Sequence, residues 1–314
     1  MEKTKKITTI GGQALIEGIM MVGPKRTTAA FCDEKGRITT EDITAPRLRD
    51  KWPILGKPFI RGIFSLVDTF RLGYKALSIS ADKLTEEDGE EELSGLDKWL
   101  YDHLGEKLTG AVMAIGGVLG VALAILLFFF LPTVLFNLLQ KAFPADIAPW
   151  RSVFEGFLRI AIFVGYILLV SLLPDMRRTF QYHGAEHKTI FCYENDLPLT
   201  VENVKKQKRF HPRCGTSFLI LMLLIGIIVG FFIPFENPFL RTVTKLLCIP
   251  LMVNIGFELQ KACAKHTGLL SRIVTAPGLW MQRITVKEPD DKMIEAAIAA
   301  MEAVIPENGE DLLS

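Results

Sequence analysis

Residues 112–139 carry no charged side chain. A helix needs roughly 20 apolar residues to cross a bilayer core, and this run exceeds that length. Three more apolar segments follow, at 157–173, 216–234 and 246–257. The last is short and broken by Pro250 and Asn254, so its length also suits a re-entrant segment. The chain is 49% hydrophobic over 314 residues, but the apolar blocks begin only after Gly110. The reading is a mainly α membrane protein with about four transmembrane helices. A cytoplasmic portion at 1–110 precedes a transmembrane bundle at 111–265, and a cytoplasmic tail occupies 266–314.

The first of these portions reads as soluble sequence. Residues 7–45 alternate loosely, and Asp33 to Arg37 reads as a hairpin turn, so a small sheet is expected there. Over residues 58–80 the period changes. Phe59, Ile60, Ile63, Phe64, Val67 and Phe70 recur at helical spacing with Arg61, Arg71 and Lys75 between them. That pattern fits a helix lying on the bilayer or one packed on the small sheet. The acidic run at 85–92 reads as a solvated linker. Residues 275–280 read as a turn around Pro277 and Gly278, and a short amphipathic helix is expected over 291–304, capped by Asp290 or Asp291.

Charge places these pieces. Net charge is +1, which names no nucleic-acid partner. The opening residues lack an apolar core suited to a signal peptide, so internal spans are expected to take the chain to the membrane. Five unpaired-looking cysteines argue against a disulfide framework. The loop at 175–215 holds Arg177, Arg178, Lys188, Lys205, Lys206, Lys208, Arg209 and Arg213, whereas the opposite loops hold Lys141 and Arg151, then Arg241 and Lys245. The basic loop therefore faces the cytoplasm, and with four spans so do both termini. Arg159 reads as a residue near a span end that snorkels to headgroups.

That loop also holds three of the five histidines. On a helix His183 and His187 share one face and can hold one divalent ion, with Glu186 beside them as a general base. His211 and Cys214, spaced His-x-x-Cys, are the natural further ligands, and Glu194 is another candidate. Three ligands with an open position make a catalytic zinc site, whereas His183, His187, His211 and Cys214 together make a closed, structural one. Two other readings stand beside the metal. The histidines can be satisfied members of a polar helix, or they can join Lys188 and Arg213 in holding a lipid phosphate. Asn254 and Glu258, one turn apart on the weakest span, are intramembrane polar candidates or interfacial groups. Glu17 reads as a turn carboxylate more readily than as a catalytic one.

Four separated segments carry a family resemblance: the stretch from Gly11 to Pro24, Tyr182 to Lys188, Phe210 to Phe218, and Ala276 to Arg283. They resemble the bacterial YqhQ family over nearly the whole chain. The resemblance implies a multipass protein of the bacterial inner membrane without an established activity, labelled a metal-dependent enzyme on these same histidine motifs. Two functions from different classes follow. One is a metal-dependent hydrolase acting on a membrane-associated substrate, with Glu186 as its base and a divalent metal such as zinc on His183, His187, His211 and Cys214. The other is a non-enzymatic membrane component that binds another membrane protein or lipid headgroups, in which the His/Cys cluster is structural.

Overall fold

The computed structural model describes residues 6–33, 35–44, 46–87, 115–143, 147–265 and 268–312. Most of the acidic run at 85–92 and the start of the 112–139 block lie outside them. Strands β1 (Gly11–Leu15), β2 (Gly18–Val22), β3 (Thr27–Cys32) and β4 (Ile38–Asp42) come first. Helices α1 (Arg61–Glu87), α2 (Ile115–Ala142), α3 (Arg151–Val170), α4 (Pro174–Glu194) and α5 (Val201–Lys205) follow. After them come α6 (Gly215–Phe231), α7 (Pro238–Leu247), α8 (Ile249–Lys265), α9 (Leu269–Thr285) and α10 (Asp291–Glu302). The chain divides into two compact units: Met1–Glu87 with Ile167–Leu221 and Val253–Ser314, and Asp88–Tyr166 with Met222–Met252.

The first unit is built on an antiparallel meander in the order β1-β2-β3-β4. Its register pairs Gly11 with Val22, Gly18 with Phe31, and Cys32 with Ile38. The β3–β4 turn closes where expected. Gly36 takes a positive φ of 73°, and Asp33 Oδ1 accepts from the Arg37 amide at 2.7 Å. Successive strand residues point to opposite faces, and both faces are covered here. Ile19, Met21 and Ala30 pack with Tyr182 and Ala185 of α4 and with Ile294, Ala297 and Met301 of α10. Met20, Ala29 and Phe31 pack on the other side with Leu72 and Ala76 of α1. That double cover is why β2 reads as an unbroken apolar run rather than an alternation.

Of the two readings of α1, packing on the small sheet is seen at its Leu72–Ala76 edge, while Phe70 and Tyr74 remain exposed. Its N-terminus is held by α8. Asn254 Oδ1 accepts from the Gly62 and Ile63 amides at 2.9 and 3.3 Å, and Arg61 forks onto Glu258 at 2.8 and 2.5 Å. Glu17, in the β1–β2 turn at a φ of 48°, pairs with Arg178 of α4 at 2.5 and 2.6 Å. The 275–280 segment corrects the sequence reading: it lies inside α9, with Pro277 within the helix. The amphipathic C-terminal helix forms as α10, capped by Asp290 Oδ1 on the Met293 amide at 2.9 Å.

In the second unit, α3 is inverted relative to a soluble helix. Ser152, Glu155, Gly156 and Arg159 are buried, while Phe157 and Tyr166 are exposed. Arg159 does not reach for a helix end. Its Nε donates to the Phe128 carbonyl at 2.6 Å, inside the π-helical turn Leu126–Phe130 of α2. Arg241 and Lys245, counted from sequence among loop charges, lie in α7 and converge on Glu155 at 3.0 and 2.5 Å.

Among the described residues two helices are long and apolar enough to cross a membrane, Ile115–Ala142 and Ala148–Val170. A third arises if the bent pair Pro238–Leu247 and Ile249–Ala264 counts as one span, with a 46° break between them. The 17-residue α6 is a shorter apolar helix. At 1.5 Å per residue it reaches about 25 Å against a core of about 30 Å. On length and composition, then, the expected four spans reduce to two or three.

Candidate metal centre

α4 presents His183 and His187 one turn apart, with ring centroids 4.5 Å from each other. Each ring is fixed from behind by a main-chain carbonyl. His183 Nδ1 lies 3.0 Å from the Thr285 oxygen, and His187 Nδ1 lies 2.5 Å from the Arg209 oxygen. A carbonyl has no proton to give, so each Nδ1 must be the donor. In the neutral ring the lone pair then sits on Nε2, the tautomer that a histidine ligand needs.

Both lone pairs meet Cys214. Its Sγ is 3.2 Å from His183 Nε2, and the ligand atoms of His183, His187 and Cys214 all lie within 4.8 Å of one another. Cys214 opens α6, where its carbonyl accepts from the Phe218 amide at 3.1 Å and its Sγ from the Thr216 amide at 3.4 Å. Burial alone would push this thiol up. The Thr216 amide, which donates to the sulfur, opposes that rise. Burial likewise presses His187 down to about 4, which keeps the ring neutral. A thiol has one proton to share and faces two imidazole acceptors. A divalent cation at that point satisfies all three atoms, so the donor set fits a metal, and its softness suits zinc.

Glu186 stands beside the cluster, buried. Its Oε1 accepts from the Gly12 amide at 3.0 Å, and burial raises its carboxyl to about 7 against the lowering pull of His183. A Cβ on Gly12 would stand 2.9 Å from the Glu186 side chain, so β1 approaches it through a residue without one. His211 does not join the point. Its Nδ1 accepts from the Arg213 amide at 3.3 Å and its Nε2 lies 3.8 Å from Glu194. Its ring stacks obliquely between Phe191 and His187. A cleft of about 660 Å³ reaches the cluster, lined by His183, Glu186, His187 and Cys214, with Gly12 and Gln260 among its other walls.

A family model described as "Protein of unknown function (DUF1385)" matches residues 57–307. The Bacillus subtilis protein YqhQ, described as an uncharacterized protein, is 33% identical over 308 residues, covering 97% of this chain and 95% of its own. The chain belongs to this family. No solved structure matches it.

The four segments that carry the YqhQ resemblance meet at this one site. The first supplies the Gly12 amide, the second the two histidines and Glu186, the third Cys214. The fourth supplies Gln282 of α9, which sequence reasoning did not single out. Gln282 Oε1 accepts from the His211 amide at 2.8 Å, and its Nε2 donates to the His211 carbonyl at 2.7 Å and to Ser217 Oγ at 2.8 Å. It thus clamps the loop that delivers Cys214. Gly278 permits the approach, since a Cβ there would stand 2.5 Å from Ser217. The cations of the lipid-phosphate reading are already engaged. Lys188 is buried against Glu288 and the Lys205 carbonyl, and the half-buried Arg213 bonds Glu194 and the Thr8 carbonyl.

Proposed function

We propose that this family member is an integral membrane protein that holds zinc on His183, His187 and Cys214 and hydrolyses a bond in a membrane-associated substrate. The observation that carries the reading is the three-ligand point on the wall of a cleft, with a buried carboxylate beside it. Three protein ligands and an open side are the arrangement of catalytic zinc rather than structural zinc. A zinc ion held there would supply a Lewis acid and bring a water near neutral pKa. Glu186 takes the proton from the attacking water and returns it to the leaving group. The Thr285 and Arg209 carbonyls keep both rings in the ligating tautomer. His211 supports this set rather than completing it.

The membrane part of the proposal is supported by α3, whose polar face is buried and whose apolar face is exposed. That inversion is what hydrocarbon selects. The full proposal keeps four crossings, with α6 and the bent α7–α8 pair as the third and fourth. It places the protein in the bacterial inner membrane with the site and both termini on the cytoplasmic side, by the excess of Lys and Arg between α3 and α6.

A structural role for the metal, in a non-enzymatic membrane component, has one observation of its own. The Gly12 amide already engages Glu186, tying β1 to α4. The full chain, purified in detergent, separates the two readings. About one zinc per chain is expected, lost in His187→Ala and Cys214→Ala and retained in Glu186→Gln. Absence of metal, or metal unchanged in the first two variants, overturns the site. Assay against ester, amide and phosphoester panels then decides the class. Turnover abolished by Glu186→Gln supports the hydrolase, and an inert zinc-loaded wild type supports the structural role.

A further inference from the structure

The two sides of α9 differ sharply in what they touch. One side is part of the metal centre: Gly278, Met281, Gln282 and Thr285 are buried, with Gln282 on the His211 loop and the Thr285 carbonyl on His183. The other side is open. Leu269 and Leu270 are 75% and 71% exposed, and Ile273 and Trp280 are 60% and 56% exposed. Positions 269, 273 and 280 are separated by four and seven residues, so they stack along one stripe of a helix. Leu270, Ala276 and Pro277 widen that stripe without a charge.

The charges of α9 are as one-sided as its apolar groups. Its sequence contains Arg272 and Arg283 and no Asp or Glu. Eleven positions apart, the two arginines fall on the same flank of the exposed stripe, by the 100° step of a helix. Both are exposed, and neither has a carboxylate partner among the described residues. Long basic side chains beside a Leu/Ile/Trp face are the composition of a helix lying in the headgroup region. There the apolar side enters the acyl boundary and the guanidiniums reach lipid phosphates.

We infer that α9 is an in-plane interfacial helix that seats the metal centre on an anionic bilayer surface. The inference rests on the membrane reading given under Proposed function and deepens it. The residues that enter the lipid and those that hold His183 and the Cys214 loop lie on opposite sides of one helix. A substrate presented by the membrane would then meet the site without leaving the headgroup layer. Charge complementarity selects the occupant: a phosphate-bearing surface matches two arginines without a carboxylate partner among the described residues, whereas an antiparallel second copy of the helix would set the same arginines against each other.

The test uses the full chain with Trp280 as its sole tryptophan, through Trp52→Phe, Trp99→Phe and Trp150→Phe, reconstituted in phosphatidylcholine/phosphatidylglycerol vesicles. Lipids brominated just below the headgroup are expected to remove at least about half of the Trp280 emission, as befits a ring at the acyl boundary. Aqueous acrylamide is expected to quench it weakly. In an Arg272→Gln/Arg283→Gln variant, lipid quenching should lose its dependence on phosphatidylglycerol. Strong acrylamide quenching without lipid quenching overturns the inference. So does a lipid-insensitive Trp280 accompanied by inter-chain crosslinking of an Ile273→Cys variant, which would mark the face as a subunit interface. Metal content is read separately: zinc-free protein with full lipid quenching sinks the metal reading alone.

Discussion

A methyl group at position 184 has nowhere to go. The Cβ of an alanine there would fall on the Lys287 carbonyl oxygen, where the chain after α9 crosses α4 and the Lys287 amide bonds the Phe180 carbonyl at 2.9 Å. That crossing also delivers the Thr285 carbonyl to His183 and Glu288 to Lys188. Gly184→Ala is therefore expected to cost about 1–3 kcal/mol, the usual range for overpacking, and to lower zinc content because one ring loses its backing. Thermal unfolding in detergent with metal analysis checks both, and an unchanged metal load would show that the crossing is not what orients His183. At this scale the i, i+4 histidines and the Glu between them were legible, since helical spacing alone puts them on one face. The carbonyls that fix their tautomers were not. Every residue carries a carbonyl, and nothing in the side-chain sequence says which one will lie behind a given ring. The same holds for His211, whose spacing from Cys214 suggests a shared ligand point but whose ring turns to Arg213 and Glu194.

Elements that bury one clear face were readable. The turn at Asp33–Arg37, the α1 periodicity and the Asp290 cap of α10 all lie in local pattern. α9 was not, because Pro277-Gly278 is a strong turn signal and only the packing of Gly278 on Ser217 reveals why the helix tolerates it. Asn254 and Glu258 show the limit from the other side. Polar groups on an apolar segment invite a functional reading, yet here they hold the start of α1. Asn254 acts as a cap supplied from another helix, satisfying two amides that the helix itself cannot. Asn254→Ala should cost about 1–2 kcal/mol, as cap removal does. It should also speed hydrogen exchange at the Gly62 and Ile63 amides while leaving zinc content unchanged. Exchange at those amides identical to wild type would mean that α1 is held by other contacts.

The two units differ in kind, and metal should distinguish them at the level of the molecule. His183, His187 and Cys214 all lie in the first unit, as does Trp280, whereas Trp150 lies in the second. A ligand that binds only the folded state stabilises it by RT ln(1 + [L]/Kd), about 2.7 kcal/mol at a hundredfold excess over Kd. Chelation removes that contribution from the unit that owns the ligands. In single-tryptophan variants unfolded by denaturant, a chelator should move the transition reported by Trp280 to lower denaturant. The transition reported by Trp150 should stay in place. Adding Cys214→Ala should abolish the shift, since the metal it depends on is no longer held. If Trp150 moves as far as Trp280, the two units unfold as one cooperative body, and the metal stabilises the buried Glu155–Arg241–Lys245 network of the second unit as well as its own. If neither moves while zinc is demonstrably bound, the unfolded chain holds the metal about as tightly as the folded one, since only a difference in affinity between the two states shifts a transition.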